Sequence, residues 1–190
     1  MAKKGEIERK RIIVFAFEGK DNKTETNYFY HFKSADDNYI IKTFPCGCTD
    51  PKNMIDSAKK KRSRFDYNSK EDKTFIFIDD DSNIDKMNYI ENIRKKLPKD
   101  ITIIVSKPTF EIWFLNHFTK TTKCFTTNKL FDELKKYIPN YEKSKDVYPI
   151  IRDKLDDAIK NSLKQLIIDY SSKTDVVNLF IQNIIKDKEE

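Results

Sequence analysis

Glycine is scarce: only Gly5, Gly19 and Gly47 occur in 190 residues. A Walker A loop and a GxGxxG dinucleotide fingerprint each need several glycines close together, so both are excluded. Any phosphate this chain handles must meet a metal or cationic side chains rather than a backbone cradle. Cysteine is sparse and odd in number, with Cys46, Cys48 and Cys124. That set forms neither a disulfide framework nor a zinc spacing. Reduced thiols in a cytoplasmic protein are expected, and no basic or helix-start context marks Cys46 or Cys48 as reactive. No apolar run approaches the ~20 residues of a membrane-spanning helix, so no membrane partner is expected. The opening MAKKGEIERKR is charged and lacks the apolar stretch of a signal peptide. Hydrophobic residues reach only 38%, below the usual share. However, 14 Phe and 9 Tyr each bury a large area, so a compact core is expected.

The formal charge is +6, from 37 basic and 31 acidic residues. An excess of this size permits a polyanionic partner without requiring one. Apolar runs are regularly spaced. Ile12–Phe17, Tyr39–Phe44, Thr74–Ile78 and Ile101–Val105 read as strands buried on both faces. Helical patterns separate them. Thr24 is placed to cap a helix bearing Tyr28, Phe29 and Phe32. Asp50-Pro51 opens a second helix, with proline in its first turn. A third covers Asp85–Leu97 and stops at Pro98. The order β-α-β-α-β-α-β predicts a mainly parallel four-stranded sheet between helices. Helices are then expected at Thr109–Phe118, Asn128–Ile138, Val147–Ile168 and Asp175–Ile185. The expected organisation is an α/β core over 1–118 and a helical elaboration over 119–190 packed on the same domain.

Ligands of open α/β sheets bind beyond the carboxyl ends of the strands, near a switch in strand order. Glu18 stands at the end of the first strand and Asp79, Asp80 and Asp81 at the end of the third. If these strands are neighbours, the carboxylates converge. Like charges in one place raise each other's pKa and call for a counter-cation. All-oxygen donors suit Mg²⁺ or Mn²⁺, which could polarise a phosphoryl oxygen. An Asp run after a strand also serves simply as a helix cap or a solvated turn. Glu18-Gly19 directly after an apolar strand is harder to read as scaffold alone.

Several segments resemble the RloB-like family, which carries a Toprim domain. Glu18-Gly19 with Thr24-Glu25-Thr26-Asn27-Tyr28-Phe29 resembles the family's opening. Phe77-Ile78-Asp79-Asp80-Asp81 resembles its DxD segment. The most specific match is Ser106-Lys107-Pro108-Thr109-Phe110-Glu111-Ile112-Trp113 with Leu115 and His117-Phe118. Ala158-Ile159-Lys160-Asn161-Ser162 and Lys173-Thr174-Asp175-Val176 resemble two later segments. The resemblance implies a Toprim (Rossmann-like) fold, Mg²⁺-dependent phosphodiester hydrolysis of DNA or RNA, tRNA included, and a setting in bacterial restriction and anti-phage loci, with a defence-system protein as a further partner. It implies that Glu18 serves as acid/base or metal ligand and that Asp79 and Asp81 bind the metal. Asp80 extends that set, and Glu111 and Lys107 complete the expected catalytic group. The loop EGKDNKTE is longer than the family's, and Lys107 replaces its usual Asn. A non-catalytic Toprim-fold sensor that binds nucleic acid or nucleotide is the alternative function.

Phosphate contacts are expected from Lys20, Lys23 and Lys107 on strand-end loops. The run Lys59, Lys60, Lys61, Arg62 and Arg64 is a further candidate, although a basic helix end also satisfies its own dipole. Glu25, Ser106 and His117 are expected to support the site from behind. For Glu25 a favourable dipole position is the plainer account, and for His117 a place in the core.

Overall fold

The structure, a computed structural model, describes residues 9–20, 23–33, 38–121, 123–168, 173–174 and 176. Four strands carry the fold: β1 Arg11–Phe17, β2 Tyr39–Pro45, β3 Lys73–Asp79 and β4 Ile101–Lys107. Between them lie α1 Lys23–Tyr30, α2 Pro51–Arg62 and α3 Ile84–Arg94. Then follow α4 Glu111–Asn116, α5 Thr127–Leu134, α6 Tyr148–Ile151, α7 Leu155–Ile168 and a two-residue strand, β5 Lys173–Thr174. The sheet order is β2-β1-β3-β4-β5. The first four strands are parallel, as the apolar runs predict, and β5 adds an antiparallel edge against Ser106 and Lys107.

The pleat sends alternate residues to opposite faces. Phe15, Phe17, Phe75 and Phe77 face α1 and the later helices, in one cluster with Tyr28, Phe29, Trp113, Leu130 and Ala158. Ala16, Ile76, Ile78 and Ile103 face α2 and α3, with Met54, Ile55 and Ile90. The molecule is thus three layers with aromatics concentrated on one side. Phe15 and Phe29 have ring centroids 4.5 Å apart, and Phe17 and Phe77 are 5.2 Å apart. Each such buried ring contributes roughly 1.5–3 kcal/mol.

Local chemistry sets the helix starts. Asp50 caps α2 by accepting the Asn53 N–H at 2.9 Å, with Pro51 next to it. Asn83 caps α3 by accepting the Lys86 N–H at 3.0 Å. Thr24 differs from expectation. The helix begins at Lys23, so Thr24 lies inside its first turn, and its hydroxyl accepts the Ser144 N–H at 3.1 Å. The single helix expected over 147–168 is α6, an exposed 3-10 turn at Arg152–Lys154, and α7. The helix expected over 175–185 falls outside the described residues, Val176 excepted. Among the described residues, no helix is long and apolar enough to cross a membrane.

The amino-terminal edge of the sheet is closed by ion pairs. Asp72, fully buried, accepts the backbone N–H groups of Ile12 and Asn68 and pairs with Arg9 at 2.6 Å. Burial by itself would raise this carboxyl's pKa. Arg9 and the two N–H donors more than offset burial and hold it below the ordinary value.

Candidate metal centre

β1 is followed in sequence by β2 on one side, and β3 pairs on its other side. The order therefore switches between β1 and β3, where a cleft is expected at the carboxyl edge. Glu18 follows β1 and Asp79 ends β3, so both residues stand at that switch. Gly19 has φ of +80°, a left-handed turn that glycine enters at little cost. The turn lets the Gly19 N–H reach the Cys48 carbonyl at 2.9 Å and fixes the chain just beyond Glu18. After Asp80 the backbone is again left-handed, with φ of +50° at Asp81 and +58° at Ser82. Consecutive non-glycine residues in that region store strain of the kind found at binding and catalytic sites.

One carboxylate oxygen of Glu18, Oε2, accepts the backbone N–H of Asp79 at 3.0 Å. The Lys86 ammonium donates to both Glu18 oxygens, at 2.9 and 3.1 Å, to the Asp79 carbonyl at 2.7 Å and to Asp81 Oδ2 at 3.3 Å. Asp79 Oδ1 accepts the Phe110 N–H at 2.9 Å, tying β3 to the start of α4. Asp80 is buried and pairs with Lys107 at 3.1 Å, and its N–H reaches the Ser106 carbonyl at 2.9 Å. Lys107 keeps 44% of its side chain exposed at the rim.

Behind Asp79 lie two buried acids: Glu25 in the first turn of α1 and Glu111 in the first turn of α4, 4% and 1% exposed. The Tyr141 hydroxyl donates to Glu111 Oε1 at 3.2 Å. Asp79 is pushed well above the ordinary carboxylate range, by burial first and then by the charges of Glu25, Glu111, Asp81 and Glu18. The Tyr141 hydroxyl is likewise raised, by burial and by Glu111. Burial and these neighbouring charges favour the protonated form of Asp79, while the Lys86 ammonium balances Glu18.

Other expected residues lie at varying distances from this centre. Lys20 is exposed on the loop after Glu18; the Lys23 side chain is outside the described residues. Arg62 pairs with Asp100 at 2.6 Å and donates to Thr74 Oγ1 at 3.1 Å, which puts it at the amino-terminal edge, opposite the acids. Lys61 donates to the Pro45 carbonyl, and Lys59, Lys60 and Arg64 are exposed. His117 is buried, with Nδ1 2.9 Å from the Trp113 carbonyl, in the helical layer and apart from the strand ends. Burial pushes the Cys46 thiol up to about 12 and raises Cys48 as well, in keeping with unreactive thiols.

Two residues escaped the sequence reading. Tyr141 comes from a distant loop and leaves no local signal. Lys86 had a weak one: a cation in the first turn of a helix opposes the dipole, which nearby anions offset.

The donor set fits a hard divalent cation in kind. Glu18, Asp79, Asp81 and the Asp79 carbonyl offer only oxygen, and Lys86 already places a positive charge among them. Among the described residues, however, no three His, Cys, Asp or Glu side chains form a ready-made ligand group. A cavity of about 610 Å³ adjoins the acids, lined by Glu18, Asp50, Asp81, Asp85, Lys86 and Tyr89.

Fold and site together define the class: an α/β protein of Toprim- or Rossmann-like architecture with its carboxylates at the switch point of the sheet. The chain belongs to the RloB-like family, whose model, described as RloB-like protein, matches residues 13–182. That span contains every acid of the site. No curated protein matches the chain, and no solved structure does.

Proposed function

We propose that this protein is a metal-dependent nuclease that hydrolyses phosphodiester bonds in DNA or RNA, tRNA included, within bacterial anti-phage defence. The observation that supports the reading is that Glu18, Asp79 and Asp81 all stand at the carboxyl edge of the β1–β3 switch, with Glu25 and Glu111 buried and raising the Asp79 pKa. A cluster of this charge is costly unless a cation or protons neutralise it. The defence setting and the choice of phosphodiester chemistry come from the resemblance of the sequence to its family.

In this reading Glu18, Asp79 and Asp81 hold Mg²⁺ or Mn²⁺, which supplies Lewis-acid polarisation of a phosphoryl oxygen. Burial and the neighbouring acids favour the protonated form of Asp79, and it would have to be deprotonated to act as a ligand. Glu111, oriented by the Tyr141 hydroxyl, keeps a second carboxyl beside Asp79 without solvent. Lys107, half-exposed at the rim, and Lys20, exposed beyond Glu18, meet the substrate backbone.

Labelled duplex DNA, single-stranded RNA and tRNA, incubated with Mg²⁺, Mn²⁺ or EDTA, test this. Cleavage is expected with a divalent metal and not with EDTA. Asp79→Ala or Glu18→Ala should lower it by more than about 100-fold, beyond the range typical of residues that only orient ligands. Full cleavage by both variants would remove the assigned site. A second reading, a non-catalytic binding module, is favoured by one observation: Lys86 already balances Glu18 and Asp81. It predicts nucleic-acid binding with no metal-dependent turnover in the same assay.

A further inference from the structure

We propose that Lys86 is the built-in counter-cation of this site. Its ammonium holds Glu18, the Asp79 carbonyl and Asp81 together when no divalent ion is present, and it must leave that position before one can bind. The inference rests on the metal reading above and adds a residue and an exchange step to it.

An ammonium has three N–H donors. Lys86 Nζ lies within hydrogen-bond distance of three acceptor groups: Glu18 at 2.9 and 3.1 Å, the Asp79 carbonyl at 2.7 Å and Asp81 at 3.3 Å. These are the same oxygens a hard cation would use. The contact is not a loose surface pair, because the Lys86 and Glu18 side chains are only 9% and 13% exposed. Lys86 stands in the first turn of α3, where the helix dipole disfavours a cation. A local conflict of this kind marks a position kept for another purpose.

The geometry also lets the ammonium depart. The backbone N–H of Lys86 is fixed by the Asn83 side chain at 3.0 Å, so the helix start stays anchored while the four-carbon stem rotates. The adjoining cavity of about 610 Å³ gives it room. Asp50 and Asp85 line that cavity, so the displaced charge remains among carboxylates.

Calorimetric titration with Mn²⁺, of full-length wild type, Lys86→Met, Lys86→Arg and Glu18→Gln, tests the exchange. Removing the competing charge should tighten Mn²⁺ binding by about tenfold or more in Lys86→Met, whereas Lys86→Arg stays near wild type and Glu18→Gln weakens. A purely structural lysine predicts the opposite order, with Lys86→Met equal to or weaker than wild type, and that result overturns the inference while leaving the metal site standing. No Mn²⁺ binding by any of the four at millimolar concentration overturns both. A second measurement needs no stable Met variant. The ¹³Cε resonance of Lys86, assigned by its loss in Lys86→Arg, should shift when Mg²⁺ is added to wild type. An unmoved resonance at saturating Mg²⁺ overturns the exchange.

Discussion

His117 shows how burial alone sets a residue's chemistry. Desolvation lowers its pKa to about 4, against an ordinary 6.5, although its bonds to the helical backbone favour the charged form. The unfolded chain therefore binds a proton between pH 6.5 and 4 that the folded protein refuses. Stability supported by the neutral ring is full above about pH 6.5 and is lost progressively as pH falls to 4. A shift of this size is worth about 3 kcal/mol. Urea unfolding of wild type and His117→Gln at pH 7 and pH 4.5 isolates it, because other titrations cancel in the difference. Wild type should lose more stability than the variant on acidification, by about 2–3 kcal/mol. Asp79 has the opposite sign: its raised pKa means that its deprotonation as pH rises opposes folding.

At the scale of elements, the start of α3 joins structure to site. Asn83 caps the helix through the Lys86 N–H, and Lys86 then returns to Glu18 and Asp81. Asn83→Ala should cost about 1 kcal/mol as an ordinary cap, measurable by thermal or urea unfolding. Asn83→Gly should recover most of that loss, because glycine is tolerated at this position. The beginning of α4 plays the matching part on the other face. Its Phe110 N–H binds Asp79, and Glu111 enters the core one residue later. These short segments were only partly legible. The capping signals at Asp50 and the apolar runs of the strands are local, and their boundaries agree with the structure to within one or two residues. Thr24, expected as a cap, lies inside α1, and its hydroxyl accepts the Ser144 N–H from a distant loop. Two residues of β5 carry no periodicity to detect.

Across the whole molecule, the sheet separates two cores that share no side chains. Substitutions on opposite faces should therefore act independently. Phe29→Leu and Met54→Val, each costing on the order of 1–1.5 kcal/mol, should add to within about 0.5 kcal/mol in the double variant. Phe15→Leu with Phe29→Leu should not, because those rings touch at 4.5 Å; a coupling of 0.5 kcal/mol or more is expected from denaturant unfolding. The same separation places the acids. Pleat alternation sends Asp79 toward α1 and α4, where Glu25 and Glu111 wait, while Glu18 and Lys86 meet beside α3.

The sequence by itself determined the strands, the parallel α/β class and the carboxylates at two strand ends, since each follows from short-range periodicity and from residues next to apolar runs. Tertiary structure decided the rest. It made β1 and β3 neighbours, and it set the basic residue Arg62 at the opposite edge from the acids. It also brought Tyr141 to Glu111 across thirty positions of chain and laid Lys86 on Glu18 across sixty-eight. Such pairings depend on which faces pack together, and no local pattern of residues encodes that distance.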